Sequence, residues 1–349
     1  MTPDFFLKAF IAAAPVLVLL MVFDRLDVFN LIRLRDIALI MGAGGVIATF
    51  GFLVNWRVLD GFPIGFSNYS KYVAPFVEET LKAAPIAALF HYNRLGFKLD
   101  AAIAGFALGA GFSLIENLWY LFIITDANIS AWIVRGFGTA IMHGGATALF
   151  AVISHEMTER QAEAAAARYQ FNPLVFLPGL GAAIAIHAAF NHFPDQPLAV
   201  MAITLLLIPM ALFFTLVRNE RATGQWLTTD AALHRKALEE IRSGAFAQSE
   251  TGKAIQALAV RLGEQTAQDA FAYVELKTAL VLRAEELIRE SQSGAPAPIG
   301  ETERGDFARL HALEHRLGKS MVMAIDSRLG FTRNDLWELG RLRERVLLG

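Results

Sequence analysis

Seven apolar stretches constrain this chain more than anything else in it. They run over about 5–23, 37–54, 70–90, 100–123, 132–153, 174–192 and 198–217, and a helix crosses a bilayer with ~20 apolar residues. In hydrocarbon every backbone N–H and C=O must be satisfied inside the protein, which limits runs of this kind to helices or closed barrels. Single unbroken runs of that length are helical, so the predicted fold is all-α, a polytopic membrane bundle of about seven spans. The first stretch has no basic flank before it, and Asp24-Arg25 follows where a cleavage site would be needed, so it reads as a retained span.

The pattern changes after Val217. From about Thr228 the chain becomes Ala/Leu/Glu/Arg segments with a 3.6-residue apolar period, at 229–242, 251–262, 266–290, 303–326 and 333–347. Thr332 followed by Asp335 has the form of a capping box opening the last of them. Ser291 to Gly300, rich in Ser, Gly and Pro, reads as a linker. Two domains follow: 1–217 in the membrane and 218–349 as a soluble helical domain. The second shows no catalytic constellation, and its His234, His311 and His315 read as surface histidines. Regulation, substrate docking, dimerisation or a protein partner are its default uses.

Basic residues alternate between the connections. Arg25, Arg33 and Arg35 crowd the first, Arg94 and Lys98 the third, Arg160 and Arg168 the fifth, and Arg218 with Arg221 follow the last span. The Lys/Arg bias of short loops therefore puts the C-terminal region in the cytoplasm, with Arg57, Lys71 and Arg135 counting against it. Loop 154–173 reads as an interfacial helix. The chain has no cysteine, which removes disulfides, thiolate catalysis and Cys-ligated metals. A net charge of −2 gives no argument for nucleic acid as a partner.

Polar groups interrupt four consecutive spans. The third carries Glu78, Glu79 and Lys82; the fourth Glu116 and Asn117, with Tyr120 one turn on; the fifth His143; the sixth His187 and Asn191, again one turn apart. Each charge at mid-bilayer costs ~2.5–3.5 kcal/mol on insertion scales. Lys82 lies one turn from both glutamates and neutralises part of the cost. Taken singly, an imidazole or a carboxamide in a span reads as glue between helices. Four spans in succession imply that the groups meet in one polar cavity. His192 lies nearer the loop and is left out. Carboxylates, imidazoles and an amide suit water activation, with a Glu as general base and N–H donors for an oxyanion. The same donors suit a divalent metal, zinc above all. His155-Glu156 begins a His-Glu-x-x-His zinc motif, but residue 159 is Glu and the motif fails. A proton-coupled transporter would use similar groups, though no inverted repeat is visible; a non-catalytic membrane scaffold would not need every position filled.

In order and spacing these motifs resemble the PrsW family of intramembrane proteases, relatives of the type II CAAX prenyl endopeptidases. The resemblance rests on Glu78-Glu79-Thr80-Leu81-Lys82, on Phe112-x-x-x-Glu116 with Asn117, on His143 and on His187-x-x-x-Asn191, and it covers roughly residues 40–217. Lys82 and Glu116 stand where the prenyl endopeptidases have arginine and histidine, which argues against prenyl-protein processing. The resemblance implies peptide-bond hydrolysis in or near a bacterial cell membrane, on substrates such as anti-sigma factors. It makes Glu78 the base and Glu79 its neighbour paired with Lys82. Glu116 and His143 would position the water, and His187 and Asn191 would stabilise the oxyanion. Asn117 belongs to the same motif. Metal dependence stays open: no cofactor is the expected state, and zinc held by Glu78, Glu116, His143 and His187 is the alternative.

Overall fold

The computed structural model describes residues 3–26, 34–124, 128–164, 171–291 and 300–348. No strand occurs among them, and the molecule is an all-α helix bundle. It divides into two compact units, residues 1–160 with 171–219 and residues 161–170 with 220–349.

In the first unit the long helices are α1 (Pro3–Leu26), α2 (Leu34–Gly61), α3 (Ala74–His91), α4 (Lys98–Ile123), α5 (Ala140–Ala164), α6 (Leu177–His192) and, up to residue 219, α7 (Pro197–Arg242), whose end belongs to the second unit. Among the described residues six segments are long and apolar enough to cross a membrane: Asp4–Val22, Leu34–Gly61, Lys98–Ile123, Ile129–Ala162, Pro173–His192 and Pro197–Thr215. The expected span at 70–90 is not one of them. It corresponds to a π-helical turn, Tyr69–Val73, leading into α3, and its three charged residues are buried inside the unit. Phe6, Phe10, Phe50, Leu53, Phe122 and Leu206 are exposed instead, an apolar outer surface of the kind lipid covers.

Helix α4 is the centre of this unit. Its apolar window is 78% buried, as is that of the Ile129–Ala162 span packed on it, against 22% for that of α2 and 17% for the span in α7. Small residues on two faces explain the difference. A Cβ on Gly44 would overlap the Leu108 carbonyl oxygen, and one on Gly111 the Met41 carbonyl oxygen, so α2 and α4 meet backbone to backbone. On the other side Gly105 abuts the Thr147 carbonyl and Gly109 the His143 carbonyl of α5. Lipid tails are as apolar as the side chains, so close packing of small residues must supply the association energy. The first turn of α4 is held by Asp100, whose Oδ2 accepts from the backbone N–H groups of Gly96 (3.1 Å) and Phe97 (3.2 Å). His155 Nε2 lies 2.9 Å from the Gly96 carbonyl, and Glu156 pairs with Lys98 and Arg160. The failed zinc motif is thus a fastening between α4 and α5.

Two expectations need correction here. The 154–173 loop does not open with a separate interfacial helix, because α5 continues unbroken to Ala164; residues 165–170, with Arg168, lie outside the described residues. Likewise 229–242 is the end of α7, not an independent helix.

The second unit contains α8 (Glu250–Val260), α9 (Glu264–Ser291), α10 (Glu301–Leu329) and α11 (Arg333–Leu348). They close over Ile255, Tyr273, Val274, Val281 and Ile325, all fully buried. The segment expected to be one helix at 303–326 breaks inside α10 at Gly318, whose φ of 76° is open to glycine at little cost. The capping box is present: the Thr332 N–H donates to Asp335 Oδ2 at 2.6 Å, and the Asp335 N–H to Thr332 Oγ1 at 3.2 Å. The linker around 292–299 lies outside the described residues. His311 and His315 are exposed as expected, but His234 is not a surface histidine: its ring sits between Glu285 and Asp335.

Arg316 binds Asp269 through two bonds, 2.8 and 3.0 Å, tying α10 to α9. That guanidinium holds the Asp269 carboxyl below its ordinary value of 3.8. A depressed folded-state pKa stabilises above the unfolded value and is lost as the pH falls through the folded one. The unfolding temperature is therefore expected to drop as pH is lowered below about 4, and Asp269→Asn to flatten part of that slope. Arg316 is half exposed, so screening keeps the effect small. An Asp269→Asn profile as steep as the wild type would remove the pair from the account.

Candidate active site

Five elements of the first unit converge on one polar cluster. Helix α3 places Glu79 and Lys82 three residues apart, and their side chains close a buried ion pair of 2.6 Å. Lys82 Nζ also donates to His143 Nδ1 of α5 at 2.8 Å and lies 4.4 Å from the Phe112 ring centroid. With Nδ1 accepting, the proton of His143 sits on Nε2, which faces Glu116 Oε2 of α4 at 3.1 Å. From α6, His187 Nδ1 approaches Glu79 Oε1 at 2.8 Å. The two imidazoles pack edge to face with centroids 4.7 Å apart. Glu79 thus accepts from two groups, Lys82 and His187, and one network runs from His187 through Glu79, Lys82 and His143 to Glu116.

Glu78 points the other way. Its Oε1 accepts from Asn55 Nδ2 of α2 at 2.9 Å, and Asn55 Oδ1 accepts in turn from the Tyr69 hydroxyl at 2.6 Å. Glu78, Glu116, His143, His187 and Asn191 all line a cavity of about 620 Å³ whose wall also includes Trp56 and Trp119. Glu79 and Lys82 stand behind that wall.

The family model described as PrsW family intramembrane metalloprotease matches residues 33–217, just over half of the chain. The chain belongs to the PrsW family. No curated protein and no solved structure matches it. Membership makes this chain an enzyme, a membrane-embedded protease, integral and multi-pass, whose substrate is a membrane protein in the bilayer.

Within this PrsW protein the structure separates residues that the sequence left together. Lys82, one turn from both glutamates, pairs with Glu79. Asn117 does not face the cavity: its Oδ1 accepts from Arg135 Nε at 2.9 Å and its Nδ2 lies 3.5 Å from the Ala12 carbonyl of α1. Asn191 reaches the cavity wall, but one of its amide N–H groups is given to the Ser70 carbonyl at 2.8 Å. His192, left aside, packs its ring on Tyr72.

Three cavity residues were missed. Arg135 lies 3.5 Å from Glu116 Oε1 and stacks 3.9 Å from the Tyr120 ring centroid. Its signal is present in the sequence, a guanidinium inside the apolar run 132–153. Asn55 and Tyr69 sit just outside their apolar runs and carried no signal. Tyr69 and Arg135 both lie in π-helical turns, Tyr69–Val73 and Val134–Thr139, a geometry frequent at functional sites.

The donor set fits a divalent metal in part. One ligand atom from each of Glu78, His143 and His187 lies within 4.8 Å of the others, all three residues buried. Two imidazoles and a carboxylate from separate helices make a zinc-type set. The Nδ1 contact of His187 with Glu79 is the usual orienting bond of a ligating histidine and leaves Nε2 available. His143, by contrast, has both nitrogens engaged, and Glu116 is not in the group.

Proposed function

We propose that this chain is an endopeptidase that cuts a peptide bond of a membrane-anchored, anti-sigma-factor-like protein, with Glu78 as the group that takes the proton from the attacking water. The observation that carries this reading is the asymmetry of the two glutamates. Glu79 is spent on Lys82 and His187 behind the cavity wall, while Glu78 faces the cavity with one amide donor. A general base must reach the water it deprotonates; of the two glutamates Glu78 is the one so placed, and Glu116, the other carboxylate on the cavity, is held by Arg135 and His143.

The neighbours have distinct tasks. Lys82 and Glu116 hold the His143 ring from its two nitrogens, and Glu79 holds His187 through Nδ1. A neutral imidazole has one N–H, so His187 offers Nε2 as a lone pair and donates to an oxyanion only as imidazolium. The second amide N–H of Asn191 and the Arg135 guanidinium are further donors for the charge that develops on the carbonyl oxygen. Asn117 acts through Arg135 as a positioning residue. When bound by Glu78, His143 and His187, zinc would supply a water of lowered pKa. The Lys/Arg bias supports a cytoplasmic C-terminal region, and the likeness to PrsW proteases a bacterial cell membrane.

Purified chain in liposomes, given a membrane-anchored peptide substrate, is expected to cleave it without conducting protons. Proton flux without cleavage would support the transporter reading instead. Metal analysis in the same preparation decides the zinc alternative. Stoichiometric zinc that is lost in His187→Ala, together with inactivation by chelator, would assign the metal; full activity in chelator would leave Glu78 to act alone.

A further inference from the structure

The C-terminal unit lies outside residues 33–217, and it holds a second convergence of titratable groups. Asp230 and His234 are one turn apart near the end of α7, Asp335 and Glu338 one turn apart on α11, and Glu285 reaches them from α9. One ligand atom from each of Asp230, His234, Glu285 and Asp335 lies within 4.8 Å of the others. His234 Nδ1 is 2.6 Å from Glu285 Oε1. In the neutral ring that donates from Nδ1 to Glu285, Nε2 carries a lone pair and lies 3.7 Å from Asp335 Oδ2. In that tautomer two acceptors face each other across a gap too long for a hydrogen bond.

Five carboxylate oxygens of this cluster have no hydrogen-bond partner. Asp230 Oδ2, Glu285 Oε2, Asp335 Oδ1 and both oxygens of Glu338 are buried and make no hydrogen bond. Glu338 is 0% exposed, Glu285 and Asp335 1%. Among the described contacts no Lys or Arg meets these four carboxylates; His234 is the one basic group that does. A buried ion without a counter-charge costs several kcal/mol, so four carboxylates around one imidazole call for protons or a cation. Consistent with this, burial and then Asp335 push Asp230 up to about 7. Burial, followed by Glu285, Asp335 and Asp230, drives Glu338 well above the carboxylate range.

We propose that Asp230, His234, Glu285 and Asp335 form a divalent-cation site in the C-terminal helical unit, with Glu338 as a further carboxylate beside it. One imidazole among carboxylate oxygens matches Mn²⁺, Fe²⁺ or Zn²⁺ better than Mg²⁺ or Ca²⁺, which take oxygen ligands. Glu285 orients His234 through Nδ1 and turns Nε2 towards the ion. The ion would clip the end of α7 to α9 and α11, making the folded state of this unit metal-dependent.

The test uses the full-length chain in detergent, stripped of metal and carrying His187→Ala so that the membrane cavity does not report. Mn²⁺ is titrated at pH 8 and followed by its paramagnetic resonance signal and by thermal unfolding. One equivalent is expected to bind, with the unfolding temperature rising as Mn²⁺ is added. The same shape without the charge, Glu285→Gln, is expected to weaken binding ~10–100-fold. In the metal-free chain Glu338→Gln should raise the unfolding temperature, since it removes one carboxyl from a buried cluster that lacks counter-charge, whereas the gain from Mn²⁺ should shrink. Asp230→Asn with His234→Gln should abolish binding; if that variant does not fold, Glu285→Gln carries the comparison. Absence of saturable Mn²⁺ and Zn²⁺ binding in the His187→Ala chain, or binding undiminished by Glu285→Gln, would overturn the proposal and leave the protease reading untouched.

Discussion

Glu78→Gln is expected to lower turnover by ~10²–10⁴, the usual worth of a positioned general base, while the protein inserts, purifies and unfolds as the wild type does. The amide can keep the Asn55 contact, because Gln retains an oxygen for the Asn55 Nδ2 donor. It cannot take a proton from water. Glu79→Gln provides the contrast. That change leaves Lys82, 0% exposed, without its carboxylate, and breaking one side of a buried pair costs ~3–5 kcal/mol. It should therefore lose stability and activity together. Measuring turnover beside detergent unfolding curves separates the two. A Glu78→Gln enzyme within a few-fold of wild type, or a Glu79→Gln enzyme that is stable but inert, would move the base role away from Glu78.

Gly109→Val is expected to abolish activity and to cut the yield of folded protein sharply. A Cβ there would overlap the carbonyl of His143, and that atom belongs to the α5 backbone, so no side chain can rotate away. Helix α5 must shift, and it carries His143 out of reach of Lys82 and Glu116. Overpacking of a tight interior costs ~1–3 kcal/mol, and ~1 Å of displacement at a reacting centre can cost ~10²-fold in rate. Gly42→Val and Gly181→Val are the controls, since nothing lies within 4 Å of a Cβ at either position. Equal behaviour of all three variants would mean that the α4–α5 contact does not set the site.

Most of the polar cluster was legible in the chain itself. A charge in an apolar run cannot face lipid without large cost, so the polar positions of four successive apolar runs had to meet, and Glu78, Glu116, His143, His187 and Asn191 do line one cavity. Helical period also set Glu79 and Lys82 within reach of each other and predicted the Thr332–Asp335 cap. The all-α class followed from the length of the apolar runs alone.

Tertiary structure decided the rest, because those choices depend on which helices pack together and at what depth. Spacing allowed Lys82 either glutamate; packing against His143 and His187 gave it Glu79 and left Glu78 to the cavity. Asn117 shares its motif with Glu116 yet turns towards α1 and Arg135, since adjacent helix positions point in different directions. Asn55, Tyr69 and Arg135 became part of the site only through neighbours distant in sequence. His234 looked like a solvated histidine on a polar helix, and only the approach of α9 and α11 buried it among carboxylates. Local sequence determines which residues need a partner; long-range packing determines which partner each one finds.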